Sequence, residues 1–298
     1  MIVIILFLSS CSHSWYVFTS FREPANEGLR LLYSKDARQW NRLDTIFLAP
    51  GVGKQKVMRD PSIAKGPDDS FHLVWTSSWQ GDKGFGYAAS KDLIHWTPQQ
   101  FIPVMEHEPT TVNVWAPELF YDQDSSRYII VWASCIPGRF DKGIEADSNN
   151  HRLYYTTTKD FNQFTPTQLF MDPEFSVIDA AIVRRAKNDF VLVLKDNTRP
   201  ERNLKIAFGK SAIGPWSAAS AKFSDKFTEG PSVVKAGEDW LIYFDAYHDK
   251  SYQAVSTQDF KSFTAPDPSI SIPEGHKHGT IVQTNGKTIR RLLKYTSQ

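Results

Sequence analysis

The 298-residue chain contains only two cysteines, Cys11 and Cys135. So sparse a pair excludes a disulfide scaffold, and Cys135, in the apolar stretch "VWASCIPG", reads as a small buried hydrophobe. No histidine or cysteine cluster has zinc spacing and no glycine-rich phosphate loop opens onto a helix, so no catalytic cofactor is called for. An excess of one charge is missing too. Lys plus Arg number 34 against 33 Asp plus Glu, which leaves no broad field to draw in nucleic acid or an anionic membrane. A neutral or locally charged ligand is expected. Finally, no long stretch carries helical periodicity or capping signals, which points to an all-β chain.

Apolar and aromatic residues are plentiful. Hydrophobic content of 41% is enough for a substantial core. Aromatics make up 13%, with nine tryptophans; most must pack between sheets, but aromatic faces are also the usual platforms for sugar rings. The N-terminal "MIVIILFLSSCSHS" has an apolar run too short to span a bilayer, followed by small residues, which is the layout of an export signal. Within it, "LSSC" (Leu8 to Cys11) resembles the bacterial lipobox, although no Lys or Arg precedes the apolar run. That resemblance implies a signal and anchor segment over residues 1–14 and export to the periplasm or outer membrane surface. Membrane attachment would then run through lipid on Cys11 alone.

Internal repetition organises the remainder. A strand, then Ser or Thr, then Asp, then an aromatic four residues beyond that Asp occurs in "LLYSKDARQW", "GYAASKDLIHW", "YYTTTKDFNQF" and "QAVSTQDFKSF", with a looser copy in "IAFGKSAIGPW". The aromatics Trp40, Trp96, Phe164, Trp216 and Phe263 lie 56, 68, 52 and 47 residues apart, the period of four-stranded propeller blades. Alternating or β-branched runs such as "FHLVWTSSW", "RYIIVWAS", "FVLVLKD" and "WLIYFDAY" fill the intervals. The spacing predicts a single five-bladed β-propeller over residues 15–298. The N-terminal strands complete the blade begun by the C-terminal segment.

A second element recurs after each aromatic, as "MRDPSIAK", "VWAPELFYD", "VIDAAIVRR", "TEGPSVVKA" and "KHGTIVQ". Each has a polar or aromatic head, small residues or proline, and then an apolar strand. In a propeller the first strand of every blade lines the axis, so five heads meet at one end. Asp60, Asp179, Glu229 and His278 are therefore expected to face one another across a single pocket, with the backbone at Glu229 set by Gly230 and Pro231. Two carboxylates flanking a glycosidic bond can hydrolyse it, one as acid and one as base on water. A third nearby would keep the acid protonated by like-charge repulsion.

These motifs in this order resemble glycoside hydrolase family 43, and the likeness covers nearly everything after the leader. The resemblance implies an inverting five-bladed propeller in which Asp60 of "RDPSI" is the base, Asp179 of "VIDAAI" tunes the acid, and Glu229 of "TEGPS" is the acid. It further implies substrate-binding positions at Trp115 and Glu118 of "WAPEL" and at His278 of "HGTIV", with a calcium or sodium ion near His278. "MRDP" is also similar to a motif of fructan-cleaving propellers, but their Asn-Asp-Pro-Asn and Glu-Cys elements are missing.

Further candidates rest on position alone. Trp79, in a loop with Gly81 and Gly84, is a sugar platform; Arg59 either holds Asp60 or pairs at the surface. Arg199 in "KDNTRPER" could reach a substrate hydroxyl or carboxylate, and Glu106, His107 or Glu108 could serve a subsite. His151 reads as structural. The expected activity is removal of arabinofuranosyl or xylosyl units from plant polysaccharide or oligosaccharide by a monomeric enzyme, with a galactofuranosidase as a variant. The competing class is a non-catalytic glycan-binding propeller, which has no use for three buried carboxylates.

Overall fold

The computed structural model describes residues 14–297, so the leader and Cys11 lie outside the described residues. Five antiparallel sheets stand around one axis. Their innermost strands are Arg59–Lys65, Trp115–Asp122, Val177–Ala186, Thr228–Ala236 and Ile281–Thr284. Each of these touches the next, and the last returns to the first, which closes the ring. The closing blade joins both ends of the described chain. Ile281–Thr284 pairs with Trp15–Ser20 in the register Trp15 opposite Thr284 and Phe18 opposite Ile281.

The repeated Ser/Thr-x-Asp-x-x-x-aromatic motif is a turn, built the same way four times. Oδ1 of Asp36 accepts from the backbone N–H of Arg38 and Gln39. Asp92 does the same for Ile94 and His95, Asp160 for Asn162 and Gln163, and Asp259 for Lys261 and Ser262. This is the side-chain mimicry of a backbone turn that favours Asp at such places. The residue after each Asp has positive φ (Ala37, Leu93, Phe161, Phe260) and is buried, so the turn drives an apolar side chain back between the blades. Asp here serves the fold, not the chemistry.

Two features depart from the expectation. The blades built on Val177–Ala186 and Thr228–Ala236 have three strands, not four; in the first, only an isolated bridge between Gly209 and Trp216 marks the fourth position. The chain also ends in an α-helix, Gly286–Thr296. Its capping signal is Asn285, whose side chain accepts from the Thr288 N–H at 3.0 Å. Ile289 and Leu292 anchor the helix among Val17, Leu31, Phe47 and Leu93. Among the described residues no helix is long and apolar enough to cross a membrane.

Candidate active site

Every innermost strand but the short last one begins with a β-bulge, at Arg59/Ser62, Trp115/Glu118, Ile178/Ala181 and Glu229/Ser232. Within each bulge one residue has positive φ: Asp60 at 51°, Ala116 at 46°, Asp179 at 52° and Gly230 at 60°. A non-glycine residue in that region costs about 1–3 kcal/mol, so the surrounding sheet must hold it there. The bulges re-aim these positions at the axis. They also correct the alignment of the heads. Asp60 and Asp179 occupy the bulge itself, whereas Glu229 stands one residue earlier, at the position of Arg59, Trp115 and Ile178.

Glycine at 230 is dictated by space as well as by φ. A Cβ there would lie 2.0 Å from Cγ of His278. Gly230→Ala should therefore displace His278, lower stability by about 2–4 kcal/mol from overpacking and backbone strain together, and reduce turnover. Gly237→Ala shares the positive φ but meets nothing within 4 Å, so it should cost only about 1–2 kcal/mol and spare activity. Thermal unfolding and assay of both variants make the comparison.

The heads converge. Asp60, Asp179, Glu229 and His278 line one cavity of about 110 Å³ with Arg59, Trp79, Trp115, Ala116 and Ile178. Asp60 is fixed through both oxygens. His278 Nε2 lies 2.8 Å from Oδ1, and Thr76 Oγ1 donates to Oδ2 at 2.7 Å while accepting from the Ala116 N–H. Burial pushes the Asp60 carboxyl up, but the hydrogen bond and charge of His278, with Arg59 and Thr76, bring it down to about 2. The imidazole moves the opposite way: burial disfavours its charge, yet Asp60, Asp179 and Glu229 together raise it to about 9. Asp60 and His278 are thus an ion pair at neutral pH.

The other two carboxylates shift in opposite directions. Asp179 Oδ2 accepts from the Gly230 N–H at 3.0 Å. Burial, with the neighbouring charges of Glu229 and Asp60, outweighs His278 and Lys195 and raises its pKa. Glu229 is pulled the other way. Lys195 Nζ donates to its Oε2 at 2.7 Å, and that ammonium together with His278 overcomes the effect of burial and holds Glu229 below the ordinary glutamate range. In the free protein, protonation is therefore favoured at Asp179 and disfavoured at Glu229. Lys195 is thus a second influence on Glu229, beside the Asp179 expected to tune it.

Lys195 carries no motif, and the sequence reading missed it; the signal lies in the hairpin register. It ends the apolar strand Asp189–Asp196 directly across from Ile178, just as Thr76 lies across from Arg59 and Asp245 across from Glu229. Counting back from the hairpin turn at Lys187 and Asn188 puts a lone lysine beside a head. Its side chain is 3% exposed, and Glu229, Asp179 and Tyr247 keep it charged against the cost of burial.

Other candidates fall in several places. Trp79 stands at the mouth, 44% exposed, edge-on to Trp115 at 5.9 Å. Arg59 covers the Trp79 ring at 3.7 Å and pairs with Glu23. Trp115 stacks on His151, which is fully buried. Glu118 is not at the mouth. It lines a smaller chamber of about 30 Å³ farther along the axis, under Asp60, Asp179 and His278. There it accepts from Ser62 at 2.8 Å; burial pushes its carboxyl to about 8 against the hydroxyls of Ser62 and Thr280. Arg199 is not among the residues lining the cavity and meets Glu145, through its backbone N–H at 2.8 Å. Glu108 is taken up by Arg139. Oxygens of Glu229 and Asp245 and a ring nitrogen of His278 lie within 4.8 Å of one another. However, Lys195 and Lys277 already neutralise the two carboxylates, and His278 is itself cationic, so the set does not fit a divalent cation.

The family profile described as "Probable glycosyl hydrolase domain", a family-43-related group, matches residues 12–288. The chain belongs to the family-43-related glycosyl hydrolases. An α-L-arabinofuranosidase of Bifidobacterium longum subsp. longum is 27% identical over 104 residues, 31% of this chain and 10% of that protein. The fold is shared with the endo-arabinase of Bacteroides thetaiotaomicron, at 13% identity and a TM-score of 0.59, over 88% of this chain and 91% of that one. It is shared also with an exo-β-1,3-galactanase of Clostridium thermocellum, at 14% identity and a TM-score of 0.54, over 71% and 48% of the two chains. This glycosyl hydrolase domain thus spans about a tenth of the curated relative and about half of the galactanase.

Proposed function

We propose that the protein is an inverting glycoside hydrolase that removes arabinofuranosyl or xylosyl units from plant polysaccharide, and that it is exported and anchored through Cys11. The observation that carries the catalytic reading is the convergence of Asp60, Asp179 and Glu229 on one cavity whose mouth is a pair of tryptophans. The arabinofuranosidase and endo-arabinase likenesses support the choice of sugar.

Asp60, ionised at any working pH, takes a proton from water as the water oxygen attacks the anomeric carbon. Glu229 gives a proton to the departing glycosidic oxygen. Lys195 favours the Glu229 anion in the free protein, and the loss of water when substrate covers the pocket favours its protonated form. Asp179, itself influenced by the Glu229 charge, is the carboxyl that tunes the acid. His278 and Thr76 fix the orientation of the base, and Trp79 offers a face to the sugar.

Two carboxylates acting on opposite sides of the bond, with water between, invert the anomeric centre. Proton NMR of the first sugar released from a panel of nitrophenyl pentosides and branched arabinan, read before mutarotation, should show inversion. Retention would overturn the mechanism. Glycan binding without hydrolysis of any pentoside or galactofuranoside would make the protein a binding module.

A further inference from the structure

The near-zero net charge of the chain conceals a local concentration. The helix Gly286–Thr296 contains Lys287, Arg290, Arg291 and Lys294 and no acidic residue. With 3.6 residues per turn, all four fall on the side opposite the buried Ile289 and Leu292. All four are exposed. Arg291 reaches Asp92 only at 3.9 Å, and Lys287, Arg290 and Lys294 form no ion pair among the described residues. Leu293 and Tyr295 flank the basic side and are 36% and 42% exposed. Lys35, over the ring of Trp15 at 5.0 Å, extends the patch from the neighbouring turn.

The place of this helix is as informative as its composition. His278 is at the cleft end of the closing blade, and Ile281–Thr284 runs from there to the far end, where the helix begins. The antiparallel partner starts at that same far end, because Trp15 lies opposite Thr284 while Phe21 bridges to Lys277 near the cleft. The described chain therefore starts, at Ser14, beside the first turn of the helix and remote from the catalytic cavity. Gln283 contacts Ser14 directly.

We propose that this basic helix docks on an anionic lipid surface, with the catalytic cleft at the other end of the axis left open to the medium. A basic stripe bordered by one aliphatic and one tyrosine side chain suits the phosphate and glycerol layer of phospholipid headgroups. Each Lys or Arg near such a surface contributes roughly a fivefold gain in affinity. The contact is independent of lipid on Cys11 and would orient an anchored molecule.

Cosedimentation of the full chain with vesicles tests this. Binding should be stronger to phosphatidylcholine vesicles containing phosphatidylglycerol than to phosphatidylcholine alone, and high salt should abolish the difference. The triple variant Lys287→Glu, Arg290→Glu, Lys294→Glu should lose about 100-fold or more of the anionic preference while keeping hydrolytic activity, which certifies its fold. Arg184→Glu, on another blade, should leave the preference intact. Equal binding to both vesicle types, or an unchanged preference in the triple variant, would overturn the proposal. So would a helix-dependent preference for soluble polygalacturonate over the vesicles, which would make the partner an acidic glycan.

Discussion

Asp60→Asn is expected to reduce kcat by about 10²- to 10⁴-fold on every substrate, while Glu229→Gln spares substrates with good leaving groups. Asparagine keeps the size of the side chain and can still accept from Thr76, so the bulge should survive; what disappears is the anion assigned to take a proton from water. Nothing near it can substitute. Glu118 is in the separate inner chamber and is raised to about 8, and Asp179 has its Oδ2 bound to the Gly230 N–H. A dinitrophenyl leaving group, by contrast, departs without protonation, so Glu229→Gln should retain near-parent rates on it and fall steeply on nitrophenyl pentosides and arabinan. Comparing the two variants on the two substrate types separates base from acid. Equal losses on both would remove these assignments. The Asp60 variant should also lower the pKa of His278, whose largest support is the hydrogen bond it donates to Asp60.

The difference between what was and was not legible in the sequence has a physical basis. The blade repeat could be read because its Asp turn is made from hydrogen bonds within four residues, so the motif survives in each copy as a local pattern. The heads could be read because each opens an apolar strand. Their offset could not. Whether Glu229 or Gly230 occupies the bulge depends on pairing with Asp239–Ala246, a tertiary fact, and a one-residue slip leaves the motif unchanged. The helix escaped notice because eleven residues with two buried positions give too short a period. Lys195 escaped because its role lies in the register across a hairpin, not in its neighbours along the chain. The depth of Glu118 along the axis could not be read either. In the sequence Trp115 and Glu118 share one motif, yet in the sheet the bulge between them sends one to the mouth and the other to the inner chamber.

Lys195→Met should destabilise the protein at neutral pH by about 3–5 kcal/mol and move the basic limb of the pH–rate profile toward alkali. The methionine stem fills the same space but leaves Glu229 and Asp179 with no ammonium beside them. In the parent protein Glu229 has a folded pKa below its unfolded value, so its contribution to stability is present above the unfolded value and is lost as pH falls through the folded one. Without Lys195 only the His278 charge opposes burial and Asp60, so the folded pKa rises and the stabilising contribution of Glu229 shrinks. As pH falls and Glu229 takes up its proton, the contribution of Lys195 is lost from the parent, so the deficit of the variant should shrink in acid. In kinetics the same shift keeps Glu229 protonated to higher pH, which is why the limb moves to alkali even as kcat falls from the loss of positioning. Lys195→Arg, which keeps the charge, should restore the parent limb. Denaturant titrations at acid and neutral pH, with kcat/KM profiles on a nitrophenyl pentoside, give both readouts. A destabilised Met variant whose limb stays in place would mean that Lys195 holds the fold but does not tune the acid.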